Sequence, residues 1–348
     1  MAISAGNSDM RGRSLVKELI YEQGMKMYFS KMGQISTLEE GKQTLILRKK
    51  DLTKKNGEYV RVPFSPLLTE APIIGDREAE GNEEEMDLYT QDVYIDQVRK
   101  PVRLKGDMDE KKSAYNLRMQ AKHGIATYLS RFSEKDLFYK GSGLSTDTAE
   151  VKFANAPTAP STYRNIWAGD SENVTDLTAA DKMTVELISR AKVQATTEVS
   201  GVPVMPSLDL PNDVEFIMFM HPYQIYDLKR DPEWNVNQRE AQVRGVDNPI
   251  FRGSPGQHDG VLIVPHPFVQ TYSDWGAGTI AGARALFMGA NAILLAEGRD
   301  AKWVEKSMDF DNKWSVCSGQ IFGLQKTKFN SIDYSIVAVD TAAANPNA

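Results

Sequence analysis

Residues 42–64, KQTLILRKKDLTKKNGEYVRVPF, and residues 86–104, MDLYTQDVYIDQVRKPVRL, decide how this chain is organised. Both stretches alternate branched or aromatic residues with charged ones, which is typical of half-exposed β-strands. We therefore predict one long antiparallel two-stranded arm from Lys42 to Gly106. Because an isolated two-stranded ribbon is marginally stable in water, we expect this arm to lie against a second copy of the chain.

The arm separates its charges along the sequence. Basic residues crowd the outgoing strand, whereas acidic residues crowd the far end between Glu70 and Asp87, where Arg77 is the only base. Such a run is most often a solvated loop. The alternative is that the acidic tip of one arm pairs head to tail with the basic base of the arm on the next copy, where charge complementarity sets the register of contact more than its affinity.

The composition is that of an ordinary folded protein, with 41% hydrophobic residues and a net charge of -6. The negative charge argues against a dedicated nucleic-acid-binding protein, without forbidding weak contact between a polyanion and local basic surfaces. No apolar run is long enough to span a bilayer, and the N-terminus lacks an apolar signal region, so we expect neither a membrane span nor secretion. The lone Cys317 excludes an intramolecular disulfide and a cysteine-based zinc site, and we expect it to be buried.

Residues 1–41 begin as a polar tail and become apolar and helical near Leu15 and Met27. This segment is either a frayed terminus with one helix or an arm that docks on a neighbouring subunit. The basic residues of the tail are Arg11, Arg13 and Lys17.

After Gly106 the apolar period changes to that of a helix. The pattern predicts one long helix from Asp107 to Tyr139, apolar on one side and closed by Gly141 and Gly143. Residues 141–177 predict an irregular connection.

The second half of the chain predicts a mixed α+β unit. A helix is expected to begin at a capping pair formed by Thr178 and Asp181. Buried strands are predicted at 215–220 and 260–265 and in the segments RALFMG and AILLAEG, with a helix after His221 and Pro222. Residues 320–343 predict a final antiparallel hairpin.

Catalytic signals are weak. The four histidines, which are His123, His221, His258 and His266, lack the spacing of a metal site, and His221 is expected to cap a strand end rather than act as a ligand or base. The GSG at 141–143 follows a helix and is typical of a C-cap rather than a phosphate loop. The acids Glu305, Asp309 and Asp311 have the chemistry to bind a hard cation, but such spacing is common on surfaces. We therefore expect no enzyme activity, cofactor or metal site.

The order of arm, long helix, mixed unit and closing strands resembles the major capsid proteins of tailed bacteriophages, which have the Hong Kong phage (Johnson) fold. Matching residues in and around the arm are Gly57, Val60, Val62, Pro63, Leu68, Gly75, Glu80, Gly81, Asn82, Glu83, Glu84, Val93, Ile95, Asp96, Arg99, Val102, Arg103 and Gly106. Further matching segments are HPYQIYDLKRDPEW (221–234), GVDNPIFRG (245–253) and GLQKTKFNSIDYSIVAVDTAA (323–343). The resemblance spans most of the chain.

The resemblance implies a division of the chain into five parts. These are an N-terminal arm (1–41), an extended β-hairpin or E-loop (42–106), a P-domain spine helix with its connection (107–180), an A-domain (181–280) and a return to the P-domain with C-terminal strands (281–348). It also implies residues that make contacts between subunits. Those residues are Leu67, Leu68, Ile73, Ile74, Glu80, Gly81, Asn82, Glu83, Glu84, Arg99 and Arg103, with Arg11, Arg13 and Lys17 on the N-terminal arm.

The implied function is structural. Copies of the chain are expected to form hexamers and pentamers of an icosahedral head shell that is assembled in the host cytoplasm and encloses double-stranded DNA without reading its sequence. Some relatives weld their shells through an E-loop lysine, but this chain has no lysine from Pro66 to Val98, so cohesion is expected from many weak contacts. Because the hairpin begins by about residue 42, scaffolding is expected to be a separate protein, as are the portal and decoration proteins.

Two alternatives remain open from the sequence. A nanocompartment shell of the encapsulin type shares the fold and would enclose a cargo enzyme. A hydrolase using histidine and aspartate residues of the 215–270 unit belongs to a different functional class.

Overall fold

The computed structural model describes residues 27–37, 42–50, 52, 56–64, 72–75, 80–81, 89–113, 116–146, 148–198, 204–211, 213–240, 256–276 and 278–347. The α-helices are α1 (Tyr28–Lys31), α2 (Asp107–Lys112), α3 (Leu117–Ser142), α4 (Val185–Thr196), α5 (Pro222–Leu228) and α6 (Pro232–Glu240). The strands are β1 (Ile35–Thr37), β2 (Ile46–Lys49), β3 (Tyr59–Phe64), β4 (Tyr89–Tyr94), β5 (Asp96–Arg103), β6 (Asn165–Trp167), β7 (Phe216–Met220), β8 (Gln257–His258), β9 (Val261–Pro265), β10 (Thr271–Trp275), β11 (Ile280–Met288), β12 (Ile293–Met308), β13 (Lys313–Lys326), β14 (Lys328–Phe329), β15 (Ile332–Asp333) and β16 (Ile336–Ala342). The mixed α+β class predicted from the sequence is confirmed.

A five-stranded sheet is built around the long hairpin of β12 and β13. Its order is β1-β2-β12-β13-β5, so β12 accepts β2 as a parallel neighbour and β13 accepts β5 as an antiparallel neighbour. Helix α3 covers one face of this sheet, where Ile125 and Leu129 pack against Val316.

The prediction of one continuous two-stranded arm was wrong. Only its middle is paired as predicted, because β3 pairs with β4 from Tyr59–Tyr94 to Phe64–Tyr89. The two strands at the base of the arm, β2 and β5, pair with β12 and β13 instead of with each other. Period-two alternation identifies a strand and its two faces but carries no information about its partner, and here the partners lie more than two hundred residues away along the chain.

A seven-stranded sheet forms the larger layer, with the order β6-β16-β11-β7-β9-β8 and with β10 paired to β11. Every residue of β7 and β16 is buried. Alternate side chains of β7 enter different cores: Phe216 and Met218 pack with α4, whereas Ile217 and Phe219 pack with the end of α3. The predicted strands at 215–220 and 260–265 and in RALFMG and AILLAEG are confirmed, as is the helix after His221 and Pro222.

The predicted C-terminal hairpin was also wrong. Strand β13 belongs to the five-stranded sheet, whereas β16 lies in the seven-stranded sheet between β11 and β6. Only the two-residue strands β14 and β15 pair locally. The uninterrupted burial of β16 explains its position, since a strand that is apolar on both faces is stable only inside a sheet covered on both sides.

The long helix is shorter and more buried than predicted. It is divided into α2 and α3, and the side chain of Asn116 caps α3 by accepting a hydrogen bond from the Met119 amide at 3.2 Å. Gly143 ends α3 with a φ of 67°, as predicted, whereas Gly141 lies within the helix. The last turns of α3 are buried on several sides, so the expectation of a one-sided helix fails there.

The second predicted helix begins later than expected, at Val185. Thr178 and Asp181 do interact, since both the amide and the hydroxyl of Thr178 donate to Asp181 Oδ2. They form a turn before the helix rather than its cap. The sequence pattern predicted this contact correctly, but the contact belongs to a turn and not to a helix cap.

Buried ion pairs lie in the seven-stranded sheet and in the end of α3 that packs on it. Arg284 of β11 donates to both carboxylate oxygens of Asp340 in β16, at 2.6 and 2.7 Å, and to the carbonyl oxygen of Ser142 at the end of α3. Within α3, Lys140 lies 3.1 Å from Asp136, and both side chains are almost completely buried. Burial raises the pKa of Asp136 to about 7. Such pairs do not by themselves stabilise a fold, but breaking one leaves an uncompensated buried charge.

Candidate assembly surfaces

The hairpin of β3 and β4 packs on the five-stranded sheet. Its inner face packs back onto that sheet, because Val60, Val62 and Val93 are buried against Leu294 and Ala296. Its outer face is exposed and carries a bidentate ion pair in which Arg61 donates to Asp92 at 2.7 and 2.9 Å. The hydrogen bonds from Arg61 lower the pKa of Asp92.

Aromatic and amide side chains anchor the hairpin where it leaves the body of the protein. The ring of Tyr89 lies 4.7 Å from that of Phe329, centroid to centroid. The Gln91 side chain donates to the carbonyl oxygen of Lys326 and accepts a hydrogen bond from the Lys328 amide, both at 2.9 Å. The direction of the hairpin is therefore determined by contacts within the subunit.

Part of the predicted tip of the arm is described, and there the apolar side chains are exposed. Ile73 and Ile74 are 40% and 74% exposed. Glu80 is also exposed, and Gly81 adopts a φ of 89°, which a glycine accommodates without strain. Predicted contact residues that lie outside the described residues are Leu67, Leu68, Asn82, Glu83 and Glu84 and, on the N-terminal arm, Arg11, Arg13 and Lys17.

The face of β12, β13 and β5 that points away from α3 is named here the bare face. It carries Arg99, Arg103, Lys302, Val304 and Lys306, all of which are exposed. The strand register arranges the four cations in two rows. In one row Lys302 and Arg99 flank Gly319, and in the other Lys306 and Arg103 flank Ser315.

Gly319 leaves room for the side chain of Arg99 on the neighbouring strand. A Cβ atom at this position would stand 2.6 Å from Cγ of Arg99, so any larger residue would displace the arginine. No ion pair with a described residue is formed by any of the four cations. Asp309 lies near Arg103, but its carboxylate is paired with Lys313 at 2.9 Å, and that hydrogen bond is the main reason why the pKa of Asp309 is lowered.

The structure brings together two predicted residues and three that the sequence reasoning missed. Arg99 and Arg103 share one face of β5, whereas the missed residues are Lys302, Val304 and Lys306 of β12. Their alternate spacing was visible in the segment 302–306. Their proximity to β5 was not, because it depends on the register of three strands. Cys317, which was expected to be buried, is half-exposed on this same face.

The histidines of the 215–270 unit have structural roles. His221 follows β7 and caps the start of α5, where its ring accepts a hydrogen bond from the Tyr223 amide. His266 is buried against Phe138, and this burial lowers its pKa to about 4. His258 Nε2 is 3.5 Å from Ser189 Oγ, longer than the ~2.6–3.2 Å that a serine activated by a histidine requires.

The acidic residues near the β12–β13 turn form ordinary surface contacts. Asp309 is paired with Lys313, and Glu305 accepts a hydrogen bond from the Trp303 indole at 2.8 Å. Within the described part of the chain, no group of three or more histidine, cysteine or acidic side chains has the arrangement of a metal site. No helix of the described residues is long and apolar enough to cross a membrane.

Comparison with known proteins identifies the family of this chain. Residues 20–345 match a family model described as phage capsid protein. The chain belongs to the phage capsid protein family. This capsid protein is therefore a structural component of the virion shell, and the resemblance recognised in its sequence is confirmed. The assignment favours neither the encapsulin nor the hydrolase alternative.

Individual relatives agree with the family model. The major capsid protein of Pseudomonas phage KPP25 is 29% identical over 307 residues, which cover 78% of this chain and 80% of that protein. The capsid of Ralstonia phage GP4 is 30% identical with a TM-score of 0.78, over 92% of both chains. The capsid of cyanophage Pam1 has a TM-score of 0.76 over 90% of this chain and 92% of that one, and at 21% identity it supports the fold alone.

Proposed function

We propose that this major capsid protein assembles into hexamers and pentamers of a closed icosahedral shell around double-stranded DNA. Each copy reaches across its neighbour with residues 65–88 and lays this segment on the neighbour's bare face. The observation that carries the proposal is the bare face itself, because it presents four exposed cations and the chain's own acidic segment has the complementary charge.

The two sheets are assigned to different domains of the capsid protein. The five-stranded sheet with α3 corresponds to the P-domain and its spine helix, and the seven-stranded sheet with α4 to α6 to the A-domain around the capsomer axis. The proposed boundaries remain 1–41, 42–106, 107–180, 181–280 and 281–348, and the strands β6, β11 and β16, which lie wholly or mostly outside 181–280, complete the sheet of the A-domain. Separate scaffolding, portal and decoration proteins complete the particle.

Charge and apolar contact act together in the proposed overlap. The segment from Glu78 to Asp87 contains six acidic residues. Their attraction to the two rows of cations determines where on the neighbour the segment docks. Ile73 and Ile74 supply apolar area that is exposed in a single subunit. An exposed ion pair contributes only about 0.2–1 kcal/mol, so each contact is weak. A closed array repeats it around every capsomer, and the sum holds the shell together.

Deletion of residues 70–85 tests the overlap directly. The variant is expected to fold, with the same circular dichroism and unfolding midpoint as the natural chain, because the hairpin is anchored by Tyr89 and Gln91. Electron microscopy is expected to show no closed shells. Normal particles from the deletion variant would overturn the proposed overlap.

Charge exchange identifies the docking surface. We expect Lys302→Glu with Lys306→Glu to abolish shell closure at low salt, and Glu83→Lys with Glu84→Lys to do the same. Combining the four substitutions should restore closed shells, because the attraction is rebuilt with opposite sign. The control is Lys302→Arg with Lys306→Arg, which keeps the charge and should assemble normally. Normal assembly of the Lys302→Glu, Lys306→Glu variant would exclude the bare face as the docking surface.

A further inference from the structure

Helix α3 buries both of its carboxylates and also Lys122 and Lys140, and it leaves other cations at its surface. Its two acidic residues are Glu134 and Asp136, and both are buried. Glu134 accepts a hydrogen bond from the Tyr28 amide, and Asp136 is paired with Lys140. Arg131 is exposed and Lys135 is half-exposed on the outer side of the helix. The outward surface of α3 is therefore basic although the whole chain is acidic.

The two cations stand beside a groove of about 400 Å³ on the outer side of α3. The groove is lined by Gly124, Thr127, Tyr128, Arg131, Phe132, Lys135 and Glu150. The side chains of Arg131 and Lys135 lie over the same ring, that of Phe268, at 5.7 and 5.9 Å from its centroid. A third cation, Lys100, lies 4.2 Å from the centroid of the Tyr128 ring.

Among the described residues, the cations of this surface outnumber its carboxylates. Two like charges four residues apart on a helix repel one another by about 0.2–0.5 kcal/mol. The groove is lined by one carboxylate, Glu150, and by the cations Arg131 and Lys135, so its net charge is positive, and Lys100 adds a further cation beside Tyr128. Gly124 leaves open space beside the cations, since no atom lies within 4 Å of where its Cβ would be. An extended anion fits this surface better than a compact metal complex or an apolar ligand.

The α3 surface and the bare face lie on opposite sides of one sheet. This step rests on the proposed function, in which the bare face receives the acidic segment of a neighbouring copy. An acidic segment facing packaged DNA would meet like charge at high density, so the covered face is expected to point away from the DNA. The opposite side, with α3, then points inward.

We propose that the outward surface of α3, which we name the α3 ridge and define by Lys100, Arg131 and Lys135, contacts the phosphate backbone of the packaged double-stranded DNA. The contact is independent of sequence, because it is made by flexible cationic side chains to phosphates rather than by groups inserted into a groove to read base edges. It is also weak for each subunit, which lets DNA move along the inner wall while the head fills.

Lysine reactivity in three states of the protein tests the proposal. Free subunits, empty shells and DNA-filled shells are treated briefly with acetic anhydride, and modification at each lysine is quantified by mass spectrometry. Lys135 and Lys100 should react equally in free subunits and empty shells and several-fold more slowly in filled shells. Lys302 and Lys306 should already be protected in empty shells, with no further change on filling.

The outcomes separate the two proposals. Protection of Lys135 in empty shells would mean that protein covers the α3 ridge, and full reactivity of Lys135 in filled shells would mean that nothing does. Either result overturns the DNA contact. Reactive Lys302 and Lys306 in empty shells would overturn the overlap on the bare face instead. Protection of Lys302 only in filled shells would mean that the bare face, and not the α3 ridge, contacts the DNA.

A variant supplies the second measurement. Arg131→Gln with Lys135→Gln is expected to fold and close shells normally, because both side chains are on the surface. Filled particles of this variant should release their DNA to an intercalating dye at a lower temperature than natural particles, and the difference should vanish at high salt, where phosphate contacts are already weak. The matched control is Arg131→Lys with Lys135→Arg, which keeps both charges. Equal release temperatures for the Gln variant and the natural particles at low salt would contradict the proposal.

Discussion

The two sheets of this capsid protein differ in how much of their surface a single subunit covers. The seven-stranded sheet is packed on both faces, with α4 on one side and the end of α3 on the other, and its central strands are buried throughout. In the described part of the chain, the five-stranded sheet is covered by α3 on one face and, at Leu294 and Ala296, by the β3–β4 hairpin on the other, and the remaining bare face carries exposed cations. One sheet is complete in the monomer. In the proposed assembly, a neighbouring copy completes the other.

The largest expected effect of this difference is on the stability of the free subunit. Phe219→Ala removes a fully buried ring that is packed against Phe29 and Phe138, and it should lower the free energy of unfolding by about 3–5 kcal/mol. Val304→Ala on the bare face should change it by less than about 0.5 kcal/mol. Urea unfolding of unassembled subunits measures both. Similar losses for the two variants would break the comparison.

A smaller effect concerns pH at the junction between the sheets. His266 follows β9 and stacks on Phe138 of α3, with its centroid 4.5 Å from that ring. Its pKa is lowered to about 4 by burial, so between pH 6.5 and 4 the unfolded chain binds a proton that the folded chain does not. The free energy of unfolding is therefore unaffected by His266 above pH 6.5. As the pH falls from 6.5 towards 4, it decreases by up to about 3 kcal/mol.

Urea unfolding at a series of pH values checks this effect. His266→Gln should flatten the stability profile between pH 6.5 and 4, since the amide oxygen still accepts the hydrogen bond that His266 Nδ1 accepts from the Phe268 amide. His123→Gln on the exposed side of α3 is the control and should leave the slope unchanged. An unchanged slope in His266→Gln would show that other groups dominate acid unfolding.

The smallest expected effect is at the hairpin. Arg61 and Asp92 make a bidentate pair on its outer surface, where solvent and salt screen the interaction. We expect Arg61→Gln with Asp92→Asn to leave the urea midpoint of the free subunit unchanged within error. A clear shift of that midpoint would mean that the hairpin unfolds together with the core of the monomer. The outer surface of the hairpin would then contribute to the stability of the free subunit, contrary to the comparison of the two sheets.

The sequence was sufficient for elements whose signals are local. The buried strand at Phe216–Met220, the helix after Pro222 and the Gly143 C-cap each follow from apolar runs and residues that punctuate the backbone, and all three were predicted. Arg99 and Arg103 were identified through the family resemblance. The same local signals placed Thr178 and Asp181 in contact, although not at a helix start.

The errors share one physical cause, which is pairing between distant segments. The alternation of β2 and β5 is compatible with pairing to each other, and nothing in residues 42–106 indicates that β12 and β13 compete successfully for them. The bare face was hidden for the same reason, because Lys302 and Arg99 become neighbours only through Gly319. Burial of Asp136 and Lys140 was unpredictable since each looks like a surface charge until its partner is known.

The dependence of β2 and β5 on β12 and β13 has a consequence during synthesis. A ribosome releases β2 long before Ile293 exists, and at about 5–20 residues per second the wait lasts roughly 10–50 s. Throughout that interval the five-stranded sheet is absent, and with it the two rows of cations. Nascent chains on the same messenger RNA therefore lack the bare face, on which a neighbouring copy docks in the proposed assembly. In that assembly, only a finished subunit therefore offers the bare face to a neighbouring copy.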